Sequence, residues 1–314
     1  MSIESAQKAM RDGRLADARV HLEALVADSD AGPEIHYNLA MVQSRLQDFQ
    51  AAATSFKHCA RFAPTNPDIL NNLANALRLS GQLDESAQVF NKAIRNNPRH
   101  PALRCNRGWL HLISHKHDAA VADFRAALAS DDDIEDAWRG LAESLLAAGD
   151  MNQAESVSRQ ALEKFSSSAN LHNLRGVFHI RQRQPERALP CFKQSVKIFP
   201  SNPEALTNLG ITAEQIGDLP LAEQSLSQAL AVKPGHAPAW FHLCNLASWQ
   251  PTAEHIPAIE AALESASNDG ARAELEFALA KALAKLMMPS PRCSSPAAVS
   301  QAERVTRSAF SWVL

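Results

Sequence analysis

The chain is poor in the residues from which many catalytic and β-sheet proteins are built. Of its 314 residues only 11 are Gly, and aromatic residues make up 6%, with a single Tyr. So few glycines leave little room for Gly-rich phosphate-binding loops, and the scarcity of aromatic residues disfavours β-sheet. Ala and Leu are abundant instead, and both favour helices. The composition therefore predicts an all-α protein.

Charge and hydropathy exclude further classes. The chain carries 31 basic and 34 acidic side chains, a net charge of −3, whereas a general nucleic-acid-binding protein has a strong basic excess. No run of apolar residues approaches the roughly 18 that a membrane span needs. The N-terminus, Met1–Ser5, lacks the basic start and apolar core of a secretory signal. We therefore expect a cytoplasmic protein that binds neither nucleic acid nor membrane.

Motifs for catalysis and for cysteine-based sites are also missing. The five cysteines are odd in number and far apart, with no Cys-x-x-Cys, which argues against a disulfide framework and a zinc finger. No Gly-x-Gly-x-x-Gly, Walker-type loop, His-Glu-x-x-His or Gly-x-Ser-x-Gly occurs. We therefore expect no catalytic residue and no cofactor.

What the sequence has instead is a strict internal repeat. Pro64 and Pro98 lie 34 residues apart, and so do Pro67 and Pro101. If Pro33 is position 1, units of 34 residues follow one another without insertion or deletion. They begin at Pro33, Pro67, Pro101, Glu135, Ala169, Pro203 and Ala237.

Several positions of the unit agree with one packing scheme. Positions 8 and 20 hold small residues, and position 24 is large and apolar except at Ser158. We expect the small residues to let two antiparallel helices approach closely, with the bulky side chain beside them. Cys59 and Cys244 fall at positions for small buried residues, so packing explains them better than nucleophilic chemistry. Gly at position 15 of four units permits a left-handed turn between the helices.

This pattern resembles the tetratricopeptide repeat, a helix–turn–helix unit of 34 residues. The resemblance covers about residues 1–250 and implies a right-handed superhelical α-solenoid. It divides this region into a near-complete unit at 1–32, full units at 33–66, 67–100, 101–134, 135–168, 169–202 and 203–236, and a first helix at 237–249. The register is then lost. The segment 251–286 predicts two helices, Pro251–Ser267 and Ala271–Leu286, and 287–314 a disordered tail.

The resemblance also implies a binding surface, because the first helices of this family line a concave groove. Positions 2, 5, 6, 9, 12 and 13 face the ligand there. The candidate residues are Asn38, Asn72, Asn106 and Asn208 at position 6, with Asn71, Asn75, Arg78, Arg139, Asn173 and Arg181 at neighbouring positions. A carboxamide offers one acceptor and two donors, so Asn repeated every 34 residues resembles the asparagine ladder that holds an extended peptide. The alternative is that Asn is simply common at position 6.

The charge of this groove favours one kind of partner over another. Some members of the family clamp C-terminal carboxylates with Lys at position 5, and no Lys occurs at that position here. We therefore do not expect an acidic-tail clamp. The mixed character of the groove predicts an uncharged or mixed peptide segment.

Three functional hypotheses follow. The favoured one is a non-catalytic scaffold that binds an extended segment of a protein partner, with no obligatory small molecule. A second arises because 251–286 resembles the linker of bacterial tetratricopeptide-repeat sulfotransferases, in particular Ile256–Glu264 and Glu276–Leu283. It implies the N-terminal portion of a truncated sulfotransferase that lacks its catalytic domain.

The third and least favoured hypothesis is a metal-dependent enzyme. His111 and His115 share a helix face, and His117 follows in the turn, so the three could ligate a transition metal. The alternative is a polar turn between two helices, which would be exposed to water. No Cys and no second carboxylate pattern completes a ligand shell.

Overall fold

The computed structural model describes residues 2–27, 31–266 and 268–287. Within these ranges the regular structure is entirely α-helical, with no β-strand. The fold is an all-α solenoid of antiparallel helix pairs, as the composition and the repeat predict. Two compact units make up the chain, the first ending at Ala161 and the second beginning at Leu162. None of the helices in the described ranges has the length and apolar character needed to span a bilayer.

The helices alternate between the first and second members of successive pairs. The first compact unit contains α1 (Ile3–Arg11), α2 (Leu15–Val26), α3 (Pro33–Arg45), α4 (Phe49–Phe62), α5 (Pro67–Leu79), α6 (Leu83–Asn96), α7 (Pro101–Ile113), α8 (His117–Ser130) and α9 (Glu135–Ala147). Helix α10 (Met151–Lys164) includes the boundary. The second unit contains α11 (Ala169–Arg181), α12 (Pro185–Ile198), α13 (Pro203–Gln215), α14 (Leu219–Val232), α15 (Ala237–Asn245), α16 (His255–Glu264) and α17 (Asp269–Met287).

The first helices start where the repeat places position 1, and the local sequence explains why. Several of them begin with Pro, whose missing amide hydrogen costs nothing in the first turn. Ahead of α5, the Asn66 side chain accepts hydrogen bonds from the backbone amides of Asp68 and Ile69. Asn202 caps α13 in the same way. Each cap satisfies amide donors that have no partner inside the helix.

The turn inside each pair needs a left-handed residue at position 15. The glycines Gly13, Gly81, Gly149 and Gly217 have φ between 75° and 86°. Where glycine is absent, Gln47, His115 and Arg183 adopt φ of 61°, 57° and 59°. The helix pairing therefore imposes this conformation even on residues that disfavour it.

The ring at position 24 fills a gap that small residues leave open. Phe124 is 0% exposed, and a Cβ added to Gly108, at position 8 of the same pair, would lie 2.9 Å from its ring. A Cβ added to Gly140, at position 6 of the next pair, would overlap the same ring. Gly176 stands in the same relation to Phe192. The bulky and small positions are thus complementary in shape, both within a pair and between neighbouring pairs.

Arg107, which stands where the repeat usually has Leu, is paired with a buried carboxylate. Asp123 on α8 is 3% exposed and accepts hydrogen bonds from Nε and Nη2 of Arg107, both at 2.7 Å. Arg104 and His111 lie 3.5 and 3.6 Å from the same carboxylate. Nη1 of Arg107 donates to Asn91 on α6 at 2.7 Å. A bidentate ion pair therefore replaces an apolar contact inside this repeat.

The C-terminal helices differ from the prediction. Helix α15 ends at Asn245 rather than at Trp249, because Leu246 has ψ of 124° and leaves the helical conformation. Helix α16 is shorter than Pro251–Ser267, and α17 begins at Asp269 rather than Ala271. Lys285 on α17 donates from Nζ to the backbone oxygens of Leu246 and Trp249. Both carbonyls lie beyond the end of α15 and have no helical partner.

Helix α17 takes the place beside α15 that a regular second helix would occupy. It packs against both α15 and α16, and Leu275, Ala278 and Ala282 are fully buried in that contact. The apolar cluster at this end also includes Trp240 and Trp249, each 4% exposed. The tail that the sequence predicts to be disordered lies, from residue 288 onward, outside the described residues.

The Arg107–Asp123 pair generates a test of stability. Asp123→Ala removes the buried carboxylate and leaves the largely covered guanidinium of Arg107 without its partner, so we expect a loss of about 3 kcal/mol in the free energy of unfolding. The double variant Arg107→Leu/Asp123→Val recreates the pair Leu73/Val89 found in the preceding repeat. It should be as stable as the wild type, or more so. Urea denaturation followed by circular dichroism measures both, and a double variant as unstable as Asp123→Ala would contradict this explanation.

The position-24 packing gives a second prediction. Phe90 is 0% exposed, so Phe90→Ala should lower the free energy of unfolding by about 3–5 kcal/mol by leaving a cavity. Ser158 is the matched control at position 24. Its buried Oγ has no hydrogen-bond partner, so Ser158→Ala should leave the stability unchanged or raise it by about 1 kcal/mol. A loss below about 1 kcal/mol for Phe90→Ala would exclude its core role.

Candidate functional site

The first helices form the inner layer of each compact unit. Helix α5 packs on α7 and α7 on α9, while α11 packs on α13 and α13 on α15. The neighbouring second helices from α2 to α8, and α12 and α14, make no comparable contact with one another. Helices that touch their counterparts directly lie on the tighter side of a solenoid. We call the exposed side of α3, α5, α7 and α9 the inner face.

Three of the four position-6 asparagines, Asn72, Asn106 and Asn208, bond to the preceding repeat. In each case Nδ2 donates to the side chain at position 5, which lies 35 residues earlier in the chain. The bonds join Asn72 to the Tyr37 hydroxyl (3.2 Å), Asn106 to Oδ1 of Asn71 (2.8 Å) and Asn208 to Oδ1 of Asn173 (3.1 Å). These residues do come together, but part of their hydrogen-bonding capacity is used within the protein.

The internal bonds leave N–H donors and Oδ1 acceptors on these amides that are available to a ligand. Asn106 keeps one N–H and its Oδ1, and Asn71 keeps both of its N–H groups. Asn38 makes no hydrogen bond to the rest of the described chain, and its side chain is half-buried. The row breaks at Gly140, where the ring of Phe124 leaves no room for a side chain. The intact part of the row is therefore Asn38, Asn72 and Asn106.

A cluster of charged and aromatic groups follows the asparagines along the inner face. Asp136 accepts a hydrogen bond from the indole N–H of Trp109 at 2.7 Å and another from Nη2 of Arg139 at 2.6 Å. Arg139 also donates to Glu143 at 2.9 Å, and its guanidinium lies 4.2 Å from the centre of the Trp109 ring. Arg139 is thus held by two carboxylates and by a cation–π contact. It is not a free cation for a ligand.

Cys105 lies beside this cluster and is chemically unreactive. It is 4% exposed, and burial, assisted by the neighbouring Asp136, raises the pKa of its thiol to about 12. Burial likewise raises the pKa of Cys244 to about 12. A thiol with such a pKa stays protonated at neutral pH and is a poor nucleophile.

The two other predicted arginines have different surroundings. Arg78 on α5 donates from Nη2 to Asn75 over a long 3.5 Å, and its buried Nε has no hydrogen-bond partner. Burial lowers the pKa of this guanidinium, and the charge of Asp136 offsets part of the effect. Arg181, in the second compact unit, is exposed and makes no hydrogen bond or ion pair.

The three histidines of the metal hypothesis point to different neighbours. His111 lies 3.6 Å from the carboxylate of Asp123, whereas His115 and His117 meet edge to face with ring centres 6.1 Å apart. Within the described ranges, only Asp131, Asp132 and Asp133 place three potential ligand atoms close together, and all three are exposed. The histidine cluster therefore does not converge on a common point.

The residues that sequence reasoning missed lie at positions it had singled out. Trp109 and Glu143 stand at position 9, Asp136 at position 2 and Tyr37 at position 5. The prediction named only Asn and Arg side chains and left out the aromatic and acidic side chains that fix the geometry of the inner face. Spacing along the repeat could have identified them.

The inter-repeat bonds lead to a prediction that separates a structural from a binding role. Asn106→Ala removes the bond to Asn71, so the free energy of unfolding should fall by about 1 kcal/mol. Asn38→Ala, at the same position of an earlier repeat, removes no internal bond and should leave stability unchanged. Thermal and urea unfolding of both variants measures the difference. Equal stability of the two variants would show that the Asn106–Asn71 bond contributes nothing.

Family models described as tetratricopeptide repeat match residues 45–104, 111–177 and 179–247, and a further model of the same description matches 3–67. Human protein O-mannosyl-transferase TMTC3 is 25% identical over 196 residues, 61% of this chain and 18% of that protein. Human DnaJ homolog subfamily C member 3 is 22% identical over 240 residues, 76% of this chain and 44% of that protein. The chain thus spans less than half the length of either relative.

Solved structures give the same fold. Yeast Tom70 superposes with a TM-score of 0.70 and 16% identity, over 93% of this chain and 62% of that one. The human IFIT1 dimer with PPP-AAAA gives a TM-score of 0.63 and 17% identity, over 97% and 78%. Because the family models match most of its length, the chain belongs to the tetratricopeptide repeat family.

Proposed function

We propose that the chain is a non-catalytic interaction scaffold whose inner face binds an extended segment of a protein partner. The observation that carries this proposal is the row of amides whose inter-repeat bonds leave donors and acceptors available. Membership of a family of interaction modules supports it. The proposed contacts in the first compact unit come from Asn38, Asn71, Asn72, Asn75, Asn106 and Arg78, together with Tyr37, Trp109 and Asp136. Asn173, Arg181 and Asn208 belong to the second compact unit and stay predictions from the sequence.

The internal bonds favour this function through preorganisation. An extended peptide presents alternating N–H and C=O groups, and one carboxamide can pair with both. A free Asn side chain loses rotamer freedom when it binds, which costs affinity. Asn72 and Asn106 are already held by Tyr37 and Asn71, so most of that cost is met in the folded protein.

Whether the chain binds nucleic acid is decided by experiment, because the fold occurs with and without such a ligand. Our expectation against it rests on the net charge of −3. The human IFIT1 structure, which has a similar fold, contains PPP-AAAA, so a solenoid of this kind does not by itself exclude an oligonucleotide. The peptide hypothesis is favoured here because the inner face presents amides and both signs of charge.

The sulfotransferase linker and the cytoplasmic location both stay predictions from the sequence. The resemblance of 251–286 to a sulfotransferase linker has no support beyond the residues that suggested it. TMTC3 is a transferase by name, yet only 18% of it is matched. A cytoplasmic location likewise remains an expectation.

A peptide-display selection tests the proposal. Random twelve-residue peptides on phage are selected against the full chain, and Kd values of enriched peptides are measured by fluorescence anisotropy. Asn38→Ala/Asn75→Ala should weaken binding by about fivefold or more, since each lost hydrogen bond is worth about 1 kcal/mol. Asn96→Ala, on the exposed end of α6, is the control and should bind like the wild type.

Two outcomes would contradict the proposal. One is the absence of any enriched peptide whose binding responds to inner-face substitutions. The other is tight binding of a single-stranded oligonucleotide that displaces every selected peptide, which would favour a nucleic-acid ligand instead.

A further inference from the structure

Arg78 is a cation on the inner face that makes fewer hydrogen bonds than its guanidinium can donate. A guanidinium has five N–H donors, and Arg78 uses one of them in a single long bond of 3.5 Å to Asn75. Its Nε is shielded from solvent and bonds to nothing in the described chain. Every other arginine at the predicted groove positions is either paired, as Arg139 is, or exposed, as Arg181 is.

Within the described chain, Arg78 has no direct hydrogen bond or ion pair to a carboxylate. Asp136 is close enough to act on it electrostatically, but the oxygens of Asp136 accept hydrogen bonds from Trp109 and Arg139 instead. Cys105 is the other neighbouring group, and its thiol is neutral. A partly desolvated cation with no directly bonded carboxylate is costly, and a bidentate carboxylate would satisfy it.

Exposed apolar side chains stand at the ends of the same first helices. Leu79 follows Arg78 at the end of α5, and Ile113 stands at the equivalent position of α7, which packs on α5. Both side chains are 49% exposed, and Leu46, near the end of α3, is 38% exposed. Exposed apolar groups that recur in consecutive repeats offer contact area to a residue next to the bound carboxylate.

We propose that Arg78 anchors a single carboxylate of the bound peptide, beside an apolar residue that contacts Leu79 and Ile113. The inference rests on the proposed function and specifies the chemistry of its ligand. Asp136, Arg139 and Glu143 on α9 together carry one net negative charge, which disfavours further acidic groups on the peptide. A segment with one acidic group binds, therefore, and a polyacidic one is disfavoured.

The carboxylate has two possible sources, and the experiment separates them. For each peptide selected against the full chain, three versions are synthesised. One has every Asp and Glu changed to the amide, one has an amidated C-terminus, and one has both changes. Loss of binding in the first version identifies a side-chain carboxylate, and loss in the second identifies the C-terminus. A retained affinity in all three versions overturns the inference.

Substitutions of Arg78 test the same contact from the side of the protein. Arg78→Gln should weaken the carboxylate peptides by about tenfold or more, while their amide versions bind both proteins equally. Arg78→Lys should restore part of the affinity, because the charge is kept and the bidentate geometry is lost. Arg95→Gln, on the exposed face of α6, is the matched control and should bind like the wild type.

A direct readout comes from the Arg78 Nε–H signal in a nitrogen-correlated NMR spectrum of the full chain, assigned by its loss in Arg78→Gln. It should shift on addition of the carboxylate peptide and stay unmoved with the amide version. If peptides bind through the asparagines but Arg78→Gln and the amide versions change nothing, the carboxylate anchor is wrong and the proposed function survives. If no peptide binds the inner face, both fall.

Discussion

The fit between a bulky side chain at position 24 and the small residues around it is the constraint on which this structure depends. Phe124 occupies space that exists only because Gly108 and Gly140 have no side chain. Gly108 belongs to the same pair of helices and Gly140 to the next. One ring therefore sets both the distance within a pair and the spacing between pairs. In an array whose units contact only their neighbours, that spacing fixes everything on the inner face.

The amide bonds on the inner face are a consequence of this spacing. Position 6 of one first helix reaches position 5 of the previous one only when the two helices are close enough for bonds of 2.8–3.2 Å. The same packing also interrupts the row, because the ring of Phe124 excludes a side chain at residue 140. Beyond the last asparagine of the row, Asn106, the inner face carries the ion pair of Arg139 and Asp136. Core packing thus decides which part of the inner face is neutral and which is charged.

The sequence predicts the register of the helices well because register is local. Proline at position 1 and glycine at position 15 restrict the backbone directly, and helices begin at Pro33, Pro67 and Pro101 as expected. The early end of α15 was not predictable in this way. It is accompanied by contacts from Lys285, which lies 39 and 36 residues beyond the carbonyls that it binds.

The candidate site was predictable in its positions and not in its bonding. Spacing places Asn72 and Asn106 on one face, but no sequence pattern shows that each donates to the repeat before it. Arg107 looks like a simple departure from the repeat until Asp123 is seen opposite it. Both cases involve partners on different helices, whose meeting depends on packing.

The hydrogen-bonding groups of the inner face fall into those used in internal bonds and those left available. An amide that bonds to the next repeat is fixed in orientation, and it still offers the donors and acceptors that the internal bond leaves over. A guanidinium held by two carboxylates, as in Arg139, is stable and has little left to offer. Arg78, unlike Arg139, has most of its donors unused, since its Nε makes no internal hydrogen bond. Its partial burial without a directly bonded carboxylate costs folding free energy, and a ligand carboxylate would offset that cost.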